Sequence, residues 1–478
     1  MSYDHKFNAW YVYMLCCIAA LGGVMFGYST GVIAAAVGSM QKYFALSSSE
    51  MGWAVSSVIV GAVLGSLMAG KIADRIGRKN ALLLAALLFV VTSVISAVSS
   101  MFWLFSIARI VCGLAVGIAG TVSPMYMSEI APARIRGKAS GIYNVSTNLG
   151  QLAVFIVNFF IARGMVEAWM VQDGWRWMMG LQLVPSLLML LLIAFLPESP
   201  HWNIKRQRGH KAINVLSRIY PEFNKEEARQ LFEQAPVAKS ASAPAGTTSI
   251  AGKPVLRYIL LVGIMIAVLQ QFTGVNVMNY YAPLVLQGAS SSKDAALFQT
   301  IFIALFSGVG GIIGMNLFDR YGRLPVMKIG TVGSMIGLLI VSYGLYTQDT
   351  GYMTIFGILF FMLLFSIGWG SGAWVLISEI FPERIRSFGM SLAVSCLWIA
   401  NFVITQLFPV VNDNAYLQDN FHGAFSMWLF VGFNALCFWF LHRYVPETKG
   451  VSLEDIEQLA EQKMQQLQRS TDALASNK

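Results

Sequence analysis

Twelve long apolar runs, separated by short charged or Gly/Pro-rich stretches, leave this chain few ways to fold. They lie near residues 10–36, 52–72, 81–99, 102–127, 139–162, 176–196, 256–286, 297–318, 325–346, 353–380, 387–411 and 423–444. A helix needs about 20 apolar residues to cross the hydrocarbon core of a bilayer. Within that core every backbone N–H and C=O must be satisfied by the protein itself, which helices achieve within one segment. Composition agrees: 12% of the 478 residues are charged and mean hydropathy is +0.61, against about 25% charged in soluble domains. The first run far exceeds the roughly 7–15 apolar residues of a signal-peptide core, so it is expected to remain as a span. The fold class expected is an all-α membrane protein.

The formal charge of +9 and pI near 9.2 could suggest nucleic acid, but their distribution suggests a membrane. With the N-terminus taken as cytoplasmic, Lys42, Arg163, Arg176 and Lys293 fall outside and Arg109 lies within the fourth span. The other 28 of 33 Lys and Arg lie on the cytoplasmic side. That is the positive-inside asymmetry of membrane proteins. It predicts both termini in the cytoplasm and no nucleic-acid partner. The five cysteines sit in apolar runs without metal-ligand spacing, and the five histidines are scattered. No metal site or cofactor is expected, and the cysteines read as small buried side chains.

An internal repeat divides the chain. "DRIGR" at Asp74–Arg78 returns as "DRYGR" at Asp319–Arg323, "SEIAPARIRG" from Ser128 as "SEIFPERIRS" from Ser378, and "PES" at Pro197 as "PET" at Pro446. The shifts are 245, 250 and 249 residues. This predicts two parallel six-helix halves, residues 1–200 and 255–446. Between them lies a hydrophilic linker, 201–254, and a tail follows at 447–478. The linker's first part has helical apolar spacing at Ile213, Leu216 and Ile219; its second, "VAKSASAPAGTTSIAGK", has a flexible composition. In the tail, Ser452 and an acidic first turn predict a helix. Repeats with a binding site near the midplane are a recurrent transporter plan.

Polar residues at depth mark the pathway, because hydrocarbon tolerates them only when paired or wetted. Span five carries Asn144, Asn148 and Gln151 on one helix face. Span seven carries Gln270, Gln271, Asn276, Asn279, Tyr280 and Tyr281; span ten, Trp369 and Trp374; span eleven, Trp398 and Asn401. Each could instead join helix to helix. The Gln-Gln-x-x-x-x-Asn cluster fits a ligand site better: neutral amides donate to and accept from hydroxyls, and indole faces suit apolar C–H surfaces.

The ordered set "GKIADRIGRK", "RIVCGLAVGIAGTVSPMYMSEIAPARIRG", "GWRWMMGLQLVPSLLMLLLIAFLPESPHW", "QQFTGVNVMNYYAP", "DRYGR" and "VPETKG" resembles the sugar porter family of the major facilitator superfamily, including bacterial xylose:proton symporters and facilitative glucose transporters. The resemblance implies a monomeric sugar transporter of the cell membrane, working by alternating access as its halves rock. It implies sugar contacts at Phe26, Gln151, Gln270, Gln271, Asn276, Gly370, Trp374 and Trp398. It also implies a cytoplasmic ion-pair latch holding the outward-facing state, formed by Arg78, Glu129, Arg136, Glu198, Arg323, Glu379, Arg386 and Glu447. A solvated charged loop is the plainer reading of any single pair.

Several positions depart from the family pattern: Leu397 where a Gln is common, Ser307 where an Asn is common, and "GSGAW" where Pro-Val-Cys or similar is usual. These changes leave the sugar open. At Ser29, proton-coupled relatives carry an Asp paired with the Arg that is Arg109 here. Serine cannot change charge at physiological pH and arginine stays protonated, so facilitated diffusion is expected. The alternatives are symport through another carboxylate and a transporter-fold sugar sensor. No nucleophile–base set occurs in the spans, so an enzyme is not expected.

Overall fold

The structure, a computed structural model, describes residues 7–132, 135–221, 253–287, 293–348, 352–382, 385–451 and 455–476. The expected Ser452 cap and almost all of the expected flexible stretch 237–253 lie outside these residues.

Among the described residues every regular element is helical. In order they are α1 Ala9–Ala19, α2 Leu21–Phe44, α3 Ser48–Ile76, α4 Arg78–Val98, α5 Phe102–Ile130, α6 Arg136–Ala162, α7 Glu167–Trp169, α8 Trp175–Gly180, α9 Leu183–Ala194, α10 Pro200–Lys205 and α11 Gly209–Ile219. The second series is α12 Pro254–Phe272, α13 Val275–Gln287, α14 Lys293–Tyr321, α15 Arg323–Tyr346, α16 Met353–Phe365, α17 Ser371–Ile380, α18 Arg386–Asn412, α19 Ala415–Phe421, α20 Ala424–Arg443 and α21 Ile456–Ser476. Twelve stretches are long and apolar enough to cross a membrane, from Ala9–Phe44 to Ala424–Arg443. The chain is an integral, multi-pass membrane protein.

Several spans are broken where the sequence suggests one run. The first span continues to Phe44 and is divided at Ala20 into α1 and α2. The seventh is divided between Phe272 and Val275, where Gly274 has φ +95°, a conformation that favours glycine. The tenth holds a π-helical turn, Ser366–Gly370, between α16 and α17. Such turns carry carbonyls out of the regular α ladder and cluster at functional sites.

The contacts divide the chain into two compact units. One is Met1–Ala45 with Ser57–Ser242; the other is Leu46–Ser56 with Ala243–Lys478. The segment Leu46–Ser56, which the sequence repeat assigns to the first half, belongs by contact to the second unit. Ser48 Oγ donates to Asp413 at 2.8 Å, Ser56 Oγ to Gln406 Oε1 at 2.7 Å, and Gln406 Nε2 to the Ser49 carbonyl at 2.8 Å.

Helix contacts in the first unit depend on small residues, because lipid offers apolar helices no hydrophobic incentive to pair. On α3, Gly61 and Gly65 face the carbonyls of Ile110 and Leu114. On α5, Gly113 and Gly117 face those of Val58 and Ala62. Each helix thus brings a Gly-x-x-x-Gly face to the other. In the second unit, Gly310 and Gly314 of α14 face the carbonyls of Leu363 and Ile367, and Gly330 of α15 lies against Gly368 of the π turn. The amphipathic α11 buries Ala212, Ile213, Val215 and Ile219, and the Ile219 carbonyl accepts from Asn8 N at 2.8 Å.

Candidate functional site

In the second unit the break after α12 aligns three amides into one hydrogen-bonded chain. Gln270 Nε2 donates to the Trp369 carbonyl at 3.0 Å. Gln271 Nε2 donates to Gln270 Oε1 at 3.2 Å, and Asn276 Nδ2 donates to Gln271 Oε1. Gln270 and Gln271 are each 5% exposed. The chain fixes which end of each amide is N–H and which is C=O. Each NH₂ carries two donors and spends one here, so among the described residues each keeps a second N–H. The Asn276 carbonyl oxygen also remains as an acceptor. A partner that accepts several hydrogen bonds and donates one suits this face, as a polyhydroxylated molecule does.

The aromatic residues expected beside these amides lie on other elements. Gly370 closes the π turn. Trp374 is on α17 and 43% exposed, and Trp398 is on α18 and half-buried. Among the described contacts, none joins Trp374 to the amide chain. Ser307 Oγ and Ser366 Oγ lie 3.0 Å apart, so the serine at the Asn-like position pairs with the π turn.

In the first unit α2 carries Phe26 and Ser29 and packs against α6, which carries Gln151. An ideal Cβ on Gly27 would lie 1.9 Å from the Thr147 carbonyl, and one on Gly31 would lie 3.5 Å from Gln151 Cγ. These glycines bring the α2 backbone against α6 beside Gln151. Three consecutive hydroxyls of α2, at Tyr28, Ser29 and Thr30, have separate fates. Thr30 Oγ1 donates back to the Phe26 carbonyl at 2.9 Å; Ser29 Oγ accepts from Gln182 Nε2 at 3.0 Å; Tyr28 Oη is buried without a hydrogen bond among the described residues.

Arg109 is 1% exposed, and its Nη1 donates to the Ser29 backbone carbonyl at 3.1 Å. The serine thus meets the cation through its main chain, and its side chain turns to Gln182. Gln182, 3% exposed, also donates to Cys112 Sγ at 3.6 Å. Sequence reasoning missed Gln182. The signal was there: one amide inside "GLQLVPSLLMLLL".

The repeated loop motifs form two matching networks, one per unit. In the first, Arg78 Nη2 bonds Glu129 at 2.9 Å and Nη1 bonds Asp74 at 3.0 Å, while Ser199 Oγ donates to Glu129. Glu198 Oε1 accepts from the backbone N–H groups of Arg78 and Lys79 at 2.8 and 3.2 Å. In the second, Arg323 Nη2 bonds Glu379 at 2.7 Å, Thr448 Oγ1 donates to Glu379 at 2.6 Å, and Glu447 accepts from Arg323 N and Leu324 N at 2.9 and 2.8 Å. The motif has a physical reading. A helix N-terminus has free N–H groups and a positive dipole end. The Glu of "PES" or "PET" caps the helix that starts at Arg78 or Arg323. Gly77 and Gly322, with φ +99° and +92°, precede those helices, and an ideal Cβ on Gly77 would lie 2.1 Å from Glu198 Oε2.

The expected latch residues are thus partly gathered. Arg78, Glu129 and Glu198 meet in one unit, and Arg323, Glu379 and Glu447 in the other. Glu379 is taken by Arg323; no ion pair of Arg386 is found among the described residues, and the Arg136 side chain lies outside them. Removing the carboxylate of Glu447 should cost about 1 kcal/mol, the usual value of a lost cap. Glu447→Ala should therefore lower the thermal midpoint in detergent while sugar affinity stays within a few fold. An unchanged midpoint would show that the cap adds nothing.

Comparison with known proteins then places the chain. A family model described as "Sugar (and other) transporter" matches residues 15–460. The D-xylose-proton symporter of Escherichia coli (strain K12) is 33% identical over 97% of this chain and 99% of its own length. The arabinose-proton symporter of Bacillus subtilis (strain 168) is 35% identical over 94% of this chain and 95% of its own. The solved inward-open structure of the xylose transporter XylE from E. coli superposes with TM-score 0.81 at 32% identity, covering 94% of this chain and all of that one. The chain belongs to this sugar transporter family and is a transporter, not an enzyme.

Proposed function

We propose that the protein carries a monosaccharide across the cell membrane by alternating access, as a monomer with both termini in the cytoplasm, and that it does so by facilitated diffusion. Gln270, Gln271 and Asn276, with Gln151, Phe26, Gly370, Trp374 and Trp398, are the sugar contacts of this reading. The chain of neutral amides supports it: it offers donors and an acceptor to ring hydroxyls and holds no charge that would demand an ionic substrate.

One observation carries the coupling mode. Among the described residues no Asp or Glu is buried. The side chains that meet at Ser29 and Gln182 are a hydroxyl and an amide, neither of which gains or loses a proton at physiological pH. Proton coupling needs a group whose charge changes during the cycle. Symport through a carboxylate elsewhere is the second reading, and the names of the relatives, which are proton symporters, are what favours it.

Sealed liposomes test the proposal. The protein should exchange one or more of D-xylose, arabinose, galactose and glucose in counterflow. An imposed proton gradient should not raise internal sugar above the external concentration. Uphill accumulation abolished by a protonophore would refute facilitated diffusion, and failure of all four sugars to exchange would refute this substrate class.

A further inference from the structure

The amide chain does not end at Gln270. The carbonyl that receives Gln270 belongs to Trp369, which is fully buried within the π turn. The indole Nε1 of the same residue donates to Thr331 Oγ1 at 2.8 Å, and Thr331 Oγ1 donates to the Met327 carbonyl at 2.7 Å. Thr331 is itself fully buried, on α15. Its one hydroxyl proton goes to Met327, so its lone pairs face the indole and its orientation is fixed.

Packing makes this reach possible. Gly330, the neighbour of Thr331, and Gly368, the neighbour of Trp369, touch backbone to backbone: an ideal Cβ on Gly330 would lie 2.6 Å from Gly368 Cα. The two helices are therefore as close as they can come where the threonine and the indole meet. Trp369 is held at both ends, by its ring at Thr331 and by its carbonyl at Gln270. A shift of the ring would move the π turn, and the carbonyl that orients Gln270 would move with it.

We propose that Thr331 is a positioning residue for sugar binding: through the Trp369 indole it fixes the π turn, whose carbonyl sets the orientation of the Gln270 amide. The proposal rests on the reading of Gln270 as a sugar contact. Thr331 touches no sugar in this account. It decides whether Gln270 presents its second N–H in the right place.

A double-mutant cycle on the purified full-length protein tests it, with calorimetric affinity for the tightest binder among D-xylose, arabinose, galactose and glucose. Thr331→Val keeps the side chain's shape and removes the acceptor. It should weaken binding roughly two- to ten-fold, the scale of one hydrogen bond. Thr331→Ser keeps the hydroxyl and should restore most of the loss, which a packing defect would not allow. In a Gln270→Ala background Thr331→Val should have little further effect, because the amide it positions is gone. Unchanged binding in Thr331→Val, with Gln270→Ala weakened, would overturn the positioning role and leave the site reading intact. An undiminished Thr331→Val effect in the Gln270→Ala background would also overturn it. Unchanged binding in Gln270→Ala would remove the site reading and the positioning role together.

Discussion

Gly61→Val should leave little folded protein, while Gly70→Val on the same helix should be tolerated. An ideal Cβ on Gly61 would lie 1.9 Å from the Ile110 carbonyl oxygen, far inside van der Waals contact; at Gly70 nothing lies within 4 Å. The clash is with backbone, so no rotamer change relieves it and α3 must move off α5. Overpacking costs about 1–3 kcal/mol and sometimes more when neighbours can adjust. Here adjustment also separates Gly65, Gly113 and Gly117 from the carbonyls they face. Close packing is a main source of helix association in lipid, so loss of the whole face should exceed the cost of one bad contact. Size-exclusion profiles and thermal midpoints in detergent give the comparison. Equal yields and midpoints for the two variants would mean that the Gly-x-x-x-Gly contact adds nothing to the fold.

Much of this architecture is legible in the sequence because a bilayer imposes length and apolarity on every span. The repeat was legible too, but its meaning was not. From the sequence, the acids and bases of "DRIGR", "DRYGR", "PES" and "PET" suggest an ion-pair latch or a solvated charged loop. Only the fold shows Glu198 and Glu447 capping the helices that start at Arg78 and Arg323, because a helix N-terminus can be capped from 120 residues away. The amides of span seven stood out because hydrocarbon makes polar groups conspicuous. The bonds that orient them did not. Thr331 is a common residue in a glycine-rich helix, and Trp369 acts through a carbonyl, which every residue has. Gln182 was conspicuous in the same way as Gln271 and went unread because it stands alone in its run. Ser29 shows the remaining limit. Its identity marks a change beside Arg109, but only the fold shows the cation on the Ser29 carbonyl and the hydroxyl on Gln182.

Gln271→Ala should weaken sugar binding more than any other single change in the amide chain. Gln271 is the central link: it donates to Gln270 Oε1 at 3.2 Å and accepts from Asn276 Nδ2. Its removal strands an acceptor on one side and a donor on the other, at a position only 5% exposed. It also removes the N–H that we assign to the sugar. One buried unmet hydrogen bond costs about 1–3 kcal/mol, so the affinity loss should be roughly ten- to a hundred-fold. Gln271→Glu separates the chain from the contact. A carboxylate can still accept from Asn276 but cannot donate to Gln270 or to a ring oxygen, so it should not rescue binding. Sugars lacking one hydroxyl provide the finer measurement. The deoxy analogue that loses most affinity for the unmodified protein should lose little more for Gln271→Ala, because both halves of one contact are then missing. Unchanged affinity in Gln271→Ala would mean that the amides join helices and do not bind sugar. Full additivity with every deoxy sugar would mean that Gln271 holds its neighbours but does not touch the substrate.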